Sequence, residues 1–282
     1  MLLNANCSLG TEGVLNIKID PSAKIAPDAE LAPDVEVGPG VTIEGPCRIG
    51  PGTRILAHAY IGPYTTIGEN NLIGFGAVVG YEPQDYAFTG EESYTIIGDH
   101  NLIREYVTIH RGTKPGSATR VGNHCFLMGL SHMAHNSSLG NNVIVVNGAL
   151  VGGYVEVADR AFISANCLLH QFIRVGELVM MRGGARASRD LPPYANIDDT
   201  HTVKGVNLIG LRRAGFKADQ IAPVRQAFRI LFGRRTNLKQ ALEEVEAEVP
   251  LTPEVAHLLE FIRASKRGVA MGPKQFKENG EF

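Results

Sequence analysis

The chain has 282 residues, of which 44% are hydrophobic and 20% are charged, and its formal net charge is −2. A charge so close to zero argues against nucleic-acid binding driven by electrostatics. No apolar run reaches the roughly 18 residues that a membrane-spanning helix needs, so we expect no stable membrane insertion. Residues 1–13 lack a basic stretch followed by an apolar one, which predicts no secretory signal and a cytoplasmic location.

The residue types favour a fold with many tight turns, since the chain has 32 glycines and 15 prolines but no tryptophan. Its four cysteines show no CxxC spacing, so neither a disulfide framework nor a zinc site is predicted. Cys47, Cys125 and Cys167 share one position of the repeat described next, where a free cysteine serves as a small apolar residue. We expect neither a metal nor a cofactor.

An aliphatic residue recurs at every sixth position through most of the chain up to Asp190, with two interruptions that preserve the frame. The recurring residues are Ile19, Ile25, Leu31, Val37, Ile43, Ile49, Ile55, Ile61, Ile67, Ile73, Val79, Ile97, Ile103, Ile109, Val121, Leu127, Met133, Leu139, Val145, Val151, Val157, Ile163, Leu169, Val175 and Met181. Four positions after most of them comes a small residue, as at Ala23, Ala59 and Ala77.

A period of six fits neither an α-helix, with a period of about 3.6, nor an amphipathic strand, with a period of about 2. It is typical of parallel β-helices, in which each hexad is a short strand plus a corner and three hexads close one triangular coil. Successive coils lie about 4.8 Å apart. Because each coil buries its apolar residues only against its neighbours, many repeats are needed. We therefore predict an all-β parallel β-helix over residues 1–190.

Two segments leave the repeat and are predicted to form loops outside the prism. They are residues 81–95 (YEPQDYAFTGEESYT) and residues 114–119 (KPGSAT). Long loops in compact domains are usually functional. After LPPYAN the periodicity becomes helical near 205–214, 217–232, 237–249 and 252–266, with Thr252 at a helix start. This predicts an α-helical C-terminal domain over residues 191–282, with a frayed tail from residue 268.

Residues 18 apart should occupy the same place on successive coils, so His135, Gly153 and Gln171 are predicted to form one column. His132 lies three residues before His135, and His170 adjoins Gln171. An imidazole suits general-base catalysis because its unperturbed pKa is near 6.5. His135 is therefore the candidate base, and the backbone N–H of Gly153 is the candidate donor to a developing oxyanion.

Several motifs, taken together, resemble one enzyme family over nearly the whole chain. They are YEPQDY, IREYVTIHRGT, LSHMAHNSSLGNN, LLHQFIRVG, DLPPYA and GVNLIGLRRAGF. The chain is similar to the UDP-N-acetylglucosamine acyltransferases that begin lipid A synthesis. The resemblance implies left-handed coiling, a homotrimer with sites between subunits, and no metal. It also implies transfer of a 3-hydroxyacyl chain from acyl carrier protein to the 3-position of the UDP-sugar.

Carried over position by position, the resemblance assigns roles to individual residues. His135 matches the general base, and the Gly153 amide matches the oxyanion donor. Positions that hold the sugar nucleotide or the acyl–pantetheine arm are matched by Asp85, His132, His170 and Gln171. Positions that contact nucleotide and phosphate are matched by Asn207 and Arg213. A residue near 179–185 closes the acyl groove in the family. Gly183 would leave room there for a long chain, whereas Met180, Met181 and Arg182 nearby would shorten it, so the chain length stays open.

The chain departs from the family pattern at five positions of this site. Asn136 stands where the prototype has Asp, Ala87 where it has Lys, and Tyr154 where it has His. Ile209 replaces a Glu, and Ala214 replaces the second Arg of a pair. These departures leave acyl transfer better supported than the identity of the acceptor.

Three alternatives to this function remain open on the sequence. The first is the same mechanism on another nucleotide sugar, such as a 3-amino variant, because an amine attacks a thioester more readily than a hydroxyl. The second is a metal-dependent hydratase of the carbonic anhydrase type, although His132 and His135 lack its usual spacing. The third is a non-catalytic trimeric scaffold.

Basic residues collect in the predicted C-terminal helices. They are Arg212, Arg213, Lys217, Arg225, Arg229, Arg234, Arg235 and Lys239. A local basic surface on a chain of net charge −2 favours an acidic partner, and acyl carrier protein is strongly acidic. Arg229 and Arg234 are therefore predicted to dock the carrier protein.

Overall fold

The computed structural model describes residues 19–233 and 237–273, and within them 27 short strands precede four helices. The strands are β1 (Lys24–Ile25), β2 (Ala29–Leu31), β3 (Glu36–Val37), β4 (Thr42–Ile43), β5 (Cys47–Ile49), β6 (Arg54–Ile55), β7 (Tyr60–Ile61), β8 (Thr65–Ile67), β9 (Leu72–Ile73), β10 (Val78–Tyr81), β11 (Tyr94–Ile97), β12 (Leu102–Ile103), β13 (Thr108–His110), β14 (Ala118–Val121), β15 (Phe126–Leu127), β16 (His132–Met133), β17 (Ser138–Leu139), β18 (Ile144–Val145), β19 (Leu150–Val151), β20 (Glu156–Val157), β21 (Phe162–Ile163), β22 (Leu168–Leu169), β23 (Arg174–Val175), β24 (Met180–Met181), β25 (Arg186–Ala187), β26 (Ala195–Asp198) and β27 (Thr202–Val206). The helices are α1 (Leu208–Arg213), α2 (Ala218–Gly233), α3 (Leu238–Glu248) and α4 (Pro253–Arg263).

The strands form three sheets, of nine, eight and ten strands, and from β1 to β26 each strand lies in a different sheet from the strand before it. His132 of β16 pairs in parallel with Leu150, which pairs with Leu168, so each step to the next coil spans three hexads. Three hexads therefore complete one turn of a triangular prism. The predicted parallel β-helix is confirmed.

The aliphatic residue of each hexad points into the prism. Ile61, Ile73 and Val151 are fully buried, whereas Ile19 at the start of the described chain is 45% exposed. The small residue four positions later is also buried, as at Ala77. Burying such side chains contributes about 25 cal/mol per Å² of apolar surface, and the repeat supplies this surface coil after coil.

Most corners after residue 40 contain one residue with positive φ, such as Tyr64 at 59° and His124 at 55°. This residue precedes the small buried one, so a left-handed turn recurs with the same period as the core. Just after some strands the neighbouring coil comes close. A Cβ atom on Gly62 would lie 2.3 Å from the carbonyl oxygen of Gly80, so only glycine fits there.

Each of the two predicted loops lengthens its coil by a whole number of hexads. In a regular coil the partner of a residue lies three hexads further along the chain. Thr65 instead pairs with Thr95, five hexads further along, so the first loop adds two hexads. Thr108 pairs with His132, which lies one hexad further along than that spacing. Because both insertions are whole hexads, the side chains on either side keep their inward or outward direction.

The sheets extend beyond the predicted domain boundary at residue 190. β26 pairs in parallel with β24, and β27 then turns back antiparallel along β26, which ends the ten-stranded sheet. The helices follow close to the predicted segments. Thr252 caps α4 as predicted, because its side chain accepts a hydrogen bond from the backbone N–H of Val255.

Candidate active site

His135 lies at a corner of the prism, directly after β16 and between the nine-stranded and eight-stranded sheets. The next residue, Asn136, has a φ of 59°, a left-handed conformation that asparagine adopts more readily than most residues. Gly153 and Gln171 occupy the same corner on the next two coils, as the three-hexad spacing predicts.

The imidazole of His135 lies over the backbone of Gly153. A Cβ atom on Gly153 would lie 2.7 Å from His135 Cε1, so nothing larger than glycine fits beneath the ring. Within residues 19–233 and 237–273, the backbone N–H of Gly153 has no hydrogen-bond partner. The His135 ring is outside the prism, but it is only 3% exposed because other side chains cover it.

Both ring nitrogens of His135 face a side-chain oxygen. Nδ1 lies 3.0 Å from Oδ1 of Asn136, and Nε2 lies 3.3 Å from Oδ2 of Asp85. The ring of Tyr154 meets the imidazole edge-on, with 5.5 Å between ring centroids. The ring is thus held by its Nδ1 partner and by an aromatic contact, while Nε2 points to the loop that carries Asp85.

Two further histidines lie beside His135. His132 Nδ1 is 2.7 Å from Thr108 Oγ1, and the His110 and His132 rings meet edge-on at 4.9 Å. Burial, reinforced by the nearby His132 and His135, lowers the pKa of His110 to about 4. Burial also lowers the pKa of His132, with a smaller contribution from His135. Both rings are therefore neutral at pH 7.

These side chains line a groove of about 460 Å³ on the nine-stranded sheet. His132, His135, Gly153, His170 and Gln171 all contribute to it, so the structure brings together the column and its flanking histidines. His170 and Gln171 are exposed at its edge. Side chains that the sequence did not single out also line it, namely Gln84, His110, Leu150, Leu168, Arg186, Ser188 and Thr200.

Asp85 reaches this groove because its loop, residues 82–93, is anchored to the prism. Arg111 is 5% exposed, and its guanidinium lies 5.1 Å from the ring centroid of Phe88 in the loop. The backbone N–H of Arg111 donates to the carbonyl of Tyr81, and that of Ala87 donates to the Asp85 carboxylate. The loop thus holds Asp85 against His135.

Asn207 and Arg213 lie elsewhere, in a second groove of about 940 Å³ along the ten-stranded sheet and α1. Asn207 caps α1 by accepting from the Gly210 N–H, and its Nδ2 donates to the carbonyl of Leu178. The oxygen and the nitrogen of the Asn207 side-chain amide are therefore both used in holding α1 to the prism. Within one chain these two residues do not join the histidine groove.

Arg229 is exposed on α2, whereas Arg234 lies outside the described residues. In the part of the chain that the structure describes, no cluster of three or more His, Cys, Asp or Glu side chains could hold a metal ion. In that same part, no helix is long and apolar enough to cross a membrane.

Two family models match the chain. The model described as "Bacterial transferase hexapeptide (six repeats)" covers residues 46–81, and "Udp N-acetylglucosamine O-acyltransferase; Domain 2" covers residues 190–270. The chain is 41% identical over 199 residues to the acyl-[acyl-carrier-protein]–UDP-N-acetylglucosamine O-acyltransferase of Gloeothece citriformis, with 70% of this chain and 72% of the relative covered. The same enzyme from Myxococcus xanthus is 41% identical over 204 residues, which cover 72% and 79% of the two chains.

Solved structures agree with these matches. The UDP-N-acetylglucosamine acyltransferase from Bacteroides fragilis is 45% identical, with a TM-score of 0.85 over 89% of this chain and 99% of that one. The corresponding structure from Acinetobacter baumannii is 34% identical, with a TM-score of 0.86 over 90% and 99%. Prism and groove thus define a left-handed β-helical acyltransferase of the hexapeptide-repeat class. Within that class, the chain belongs to the UDP-N-acetylglucosamine O-acyltransferase family.

Two of the site residues that sequence reasoning missed are His110, which lines the groove, and Thr113, whose backbone N–H and hydroxyl both donate to Asn136 Oδ1. The regular three-hexad spacing does not reach them, because the loop at 114–119 adds one hexad between their coil and that of His135. Adding this hexad to the spacing places Thr108 beside His132 and His110 two residues further on. The signal was therefore present in the length of the loop.

Proposed function

We propose that this chain transfers a 3-hydroxyacyl group from acyl carrier protein to the 3-hydroxyl of UDP-N-acetylglucosamine, the first step of lipid A synthesis, in the cytoplasm. One observation carries the proposal. The Nδ1 of His135 is held by Asn136, and the ring lines a groove directly beside the N–H of Gly153, which has no hydrogen-bond partner among the described residues. The names of the relatives supply the donor and the acceptor.

In the proposed reaction, Nε2 of His135 removes the proton of the sugar 3-hydroxyl as that oxygen attacks the thioester carbonyl. The Gly153 N–H donates to the oxyanion that forms on the carbonyl oxygen. Collapse of this intermediate breaks the carbon–sulfur bond, and His135 returns the proton to the departing pantetheine thiolate. A positioned base typically contributes about 10² to 10⁴ in rate, and one oxyanion donor about 10² to 10³.

Asp85 and the groove side chains would position the acceptor for this attack. The Asp85 carboxylate lies 3.3 Å from Nε2, so a hydroxyl that reaches Nε2 also comes within range of this carboxylate. His132, His170 and Gln171 line the same groove and offer donors and acceptors for the sugar or the pantetheine arm.

The space beside Gly183 is open, as a long acyl chain would require. A Cβ atom on Gly183 would have one neighbour within 4 Å, the carbonyl oxygen of Ala165 at 3.6 Å.

The 3-amino sugar is a second candidate acceptor, and Asn136 favours it. An amide oxygen orients the imidazole, but it cannot balance the positive charge that His135 acquires as a base. An amine is the better nucleophile and depends less on that base. Product analysis separates the two acceptors, because one yields an ester and the other an amide.

We further propose that the working enzyme is a homotrimer. The histidine groove lies on the nine-stranded sheet, and the groove with Asn207 and Arg213 lies on the ten-stranded sheet. A second copy could place its Asn207 and Arg213 opposite the histidines of the first. The corner between these sheets exposes Tyr106 and Leu130, which are 49% and 66% exposed, as a subunit interface requires.

The function is tested by mass spectrometry of products from a panel of UDP-sugars and acyl carrier proteins, with purified wild type and His135→Ala. We expect an O-acylated UDP-N-acetylglucosamine from wild type and a turnover that is lower by about 10² or more in the variant. His257→Ala, on the exposed surface of α4, is the matched control and should keep wild-type turnover. Near-normal activity of His135→Ala would remove His135 from the mechanism, and no acyl-sugar from any donor would refute the function.

A further inference from the structure

The amide oxygen of Asn136 is held by more than His135. The backbone N–H of Thr113 donates to Asn136 Oδ1 at 3.1 Å, and the Thr113 hydroxyl donates to the same oxygen at 2.9 Å. A backbone N–H is always a donor, so the atom that it meets must be the amide oxygen and not the amide nitrogen. Thr113 therefore fixes which way the Asn136 side chain is turned.

This orientation determines the tautomer of His135. An amide oxygen can only accept, so the ring nitrogen 3.0 Å away, Nδ1, must carry a proton. In a neutral imidazole the other nitrogen then has a free lone pair. The neutral ring then has its lone pair on Nε2, the nitrogen that faces Asp85 Oδ2 at 3.3 Å, whereas an Asn136 side chain in the flipped orientation would present its amide donors to Nδ1 and place the proton on Nε2.

Tyr154 extends the chain of hydrogen bonds by one residue. Its hydroxyl lies 3.0 Å from Thr113 Oγ1. Because the Thr113 hydroxyl donates to Asn136, the Tyr154 hydroxyl must donate to Thr113. The Tyr154 ring is held in place by stacking on Phe172, at 4.8 Å and an interplanar angle of 12°. Thr113 is 4% exposed, so little water competes for these bonds.

We propose that Thr113 and Tyr154 are positioning residues, which act through Asn136 to keep His135 in the tautomer that has a free Nε2. Neither residue touches the reacting atoms. Their effect is on the fraction of enzyme that is ready to accept a proton, and therefore on kcat and not on substrate binding. Two of the sequence departures, Asn136 and Tyr154, thus belong to one hydrogen-bonded unit.

The test measures kcat and both KM values for single and double variants. Thr113→Val keeps the shape of the side chain but removes the hydroxyl, and we expect kcat to fall about tenfold with both KM values unchanged. Thr113→Ser keeps the hydroxyl and should restore kcat to within about twofold of wild type. Tyr154→Phe keeps the stack on Phe172 and should lower kcat by about threefold to tenfold. The double variant Thr113→Val/Tyr154→Phe should be no worse than Thr113→Val alone, because both changes interrupt one chain.

Tyr64→Phe is the matched control. Tyr64 has the same left-handed corner conformation as Tyr154, with a φ of 59° against 58°, its hydroxyl has no hydrogen-bond partner among the described residues, and phenylalanine keeps its ring contact with Tyr94. Its kcat should equal that of wild type. Wild-type kcat in Thr113→Val, a rise in KM with kcat unchanged, or effects that multiply in the double variant would each overturn the proposal. If Thr113→Val does not fold, Tyr154→Phe and Thr113→Ser still decide it.

The inference rests on acyl transfer by His135, and the two can fail separately. If His135→Ala keeps wild-type turnover, the proposed role of His135 is wrong. If His135→Ala is inactive but Thr113→Val has wild-type kcat, only the role of Thr113 and Tyr154 is wrong.

Discussion

Two histidines, His110 and His132, lie beside His135, which we propose as the general base, and burial affects His110 more strongly than His132. The His110 ring is 5% exposed, and its Nδ1 has no hydrogen-bond partner in the described chain. An imidazole in this position is favoured only in its neutral form, because burial and two neighbouring histidines oppose a positive charge. His110 and His132 therefore present neutral rings to the groove at neutral pH.

The burial of His110 predicts a dependence of stability on pH. Its folded pKa of about 4 is below the ordinary 6.5, so its contribution is complete above pH 6.5 and is lost as the pH falls toward 4. The loss is on the order of 2 kcal/mol. Wild type should thus lose more unfolding free energy between pH 7 and pH 4.5 than His110→Gln does, as measured by denaturant midpoints.

His257→Gln serves as the control for this measurement, because His257 is exposed on α4. It should follow the wild-type dependence on pH. An unchanged slope in His110→Gln would mean that His110 is not the group that titrates on unfolding. His132, whose pKa is also lowered by burial, would then be the next variant to make.

At the scale of the element, the loop at residues 82–93 matters most, because it brings the Asp85 carboxylate to His135 from outside the repeat. Its conformation depends on Arg111, whose guanidinium stacks near Phe88 and Tyr64 and lies 3.7 Å from Glu82. Planar stacking of this kind is available to arginine but not to lysine.

Arg111→Lys is therefore expected to loosen the loop while keeping the charge. Tyr86 is fully exposed in the loop, so chymotrypsin should cleave after it faster in the variant than in wild type. The value of kcat/KM for the sugar nucleotide should fall by about tenfold as Asp85 loses its position. Lys114→Ala, at an exposed position of the other loop, is the control. Unchanged cleavage and activity in Arg111→Lys would show that Arg111 does not hold the loop.

At the scale of the whole molecule, the trimer is tested by light scattering. We expect wild type to have the mass of three chains at micromolar concentration. Leu130 is 66% exposed at the corner between the nine- and ten-stranded sheets, and its φ of 63° suits aspartate. Leu130→Asp should release smaller species and reduce activity. Leu251→Asp, at a residue 62% exposed beside α4, should do neither. A wild-type monomer would contradict the proposal.

Carrier-protein docking also belongs to this scale. Arg225 and Arg229 are exposed one helical turn apart on α2, and neither has an ion-pair partner among the described residues. Arg229→Glu, alone or with Arg234→Glu, should raise the KM for acyl carrier protein much more than the KM for the sugar nucleotide. Added salt should have the same effect on wild type, because the screening length falls from about 10 Å at 0.1 M to about 3 Å at 1 M.

The matched control for docking is Arg48→Glu, far along the prism, where Arg48 pairs with Glu30 at 2.9 Å on the exposed surface. It should leave both KM values unchanged. If charge reversal at Arg229 and added salt both leave carrier-protein kinetics unaltered, the basic helices are not the docking surface.

The period of six alone determined the prism, its buried side chains and the column of His135, Gly153 and Gln171. These features are local and repeat with the backbone, so the sequence spacing fixes them wherever the frame is kept. The sequence also located both loops and the four helices. It placed the end of the sheets too early, because β26 and β27 continue the ten-stranded sheet without the aliphatic repeat.

Only the tertiary structure decided which loop groups meet the column. Asp85 reaches His135 across about fifty residues of chain, and Thr113 reaches Asn136 through a loop whose length shifts the register by one hexad. The tertiary structure likewise decided that other side chains cover His135 and that Asn207 lies outside the histidine groove. Such contacts depend on how loops and helices fold back onto the prism, and no periodicity in the sequence encodes that path.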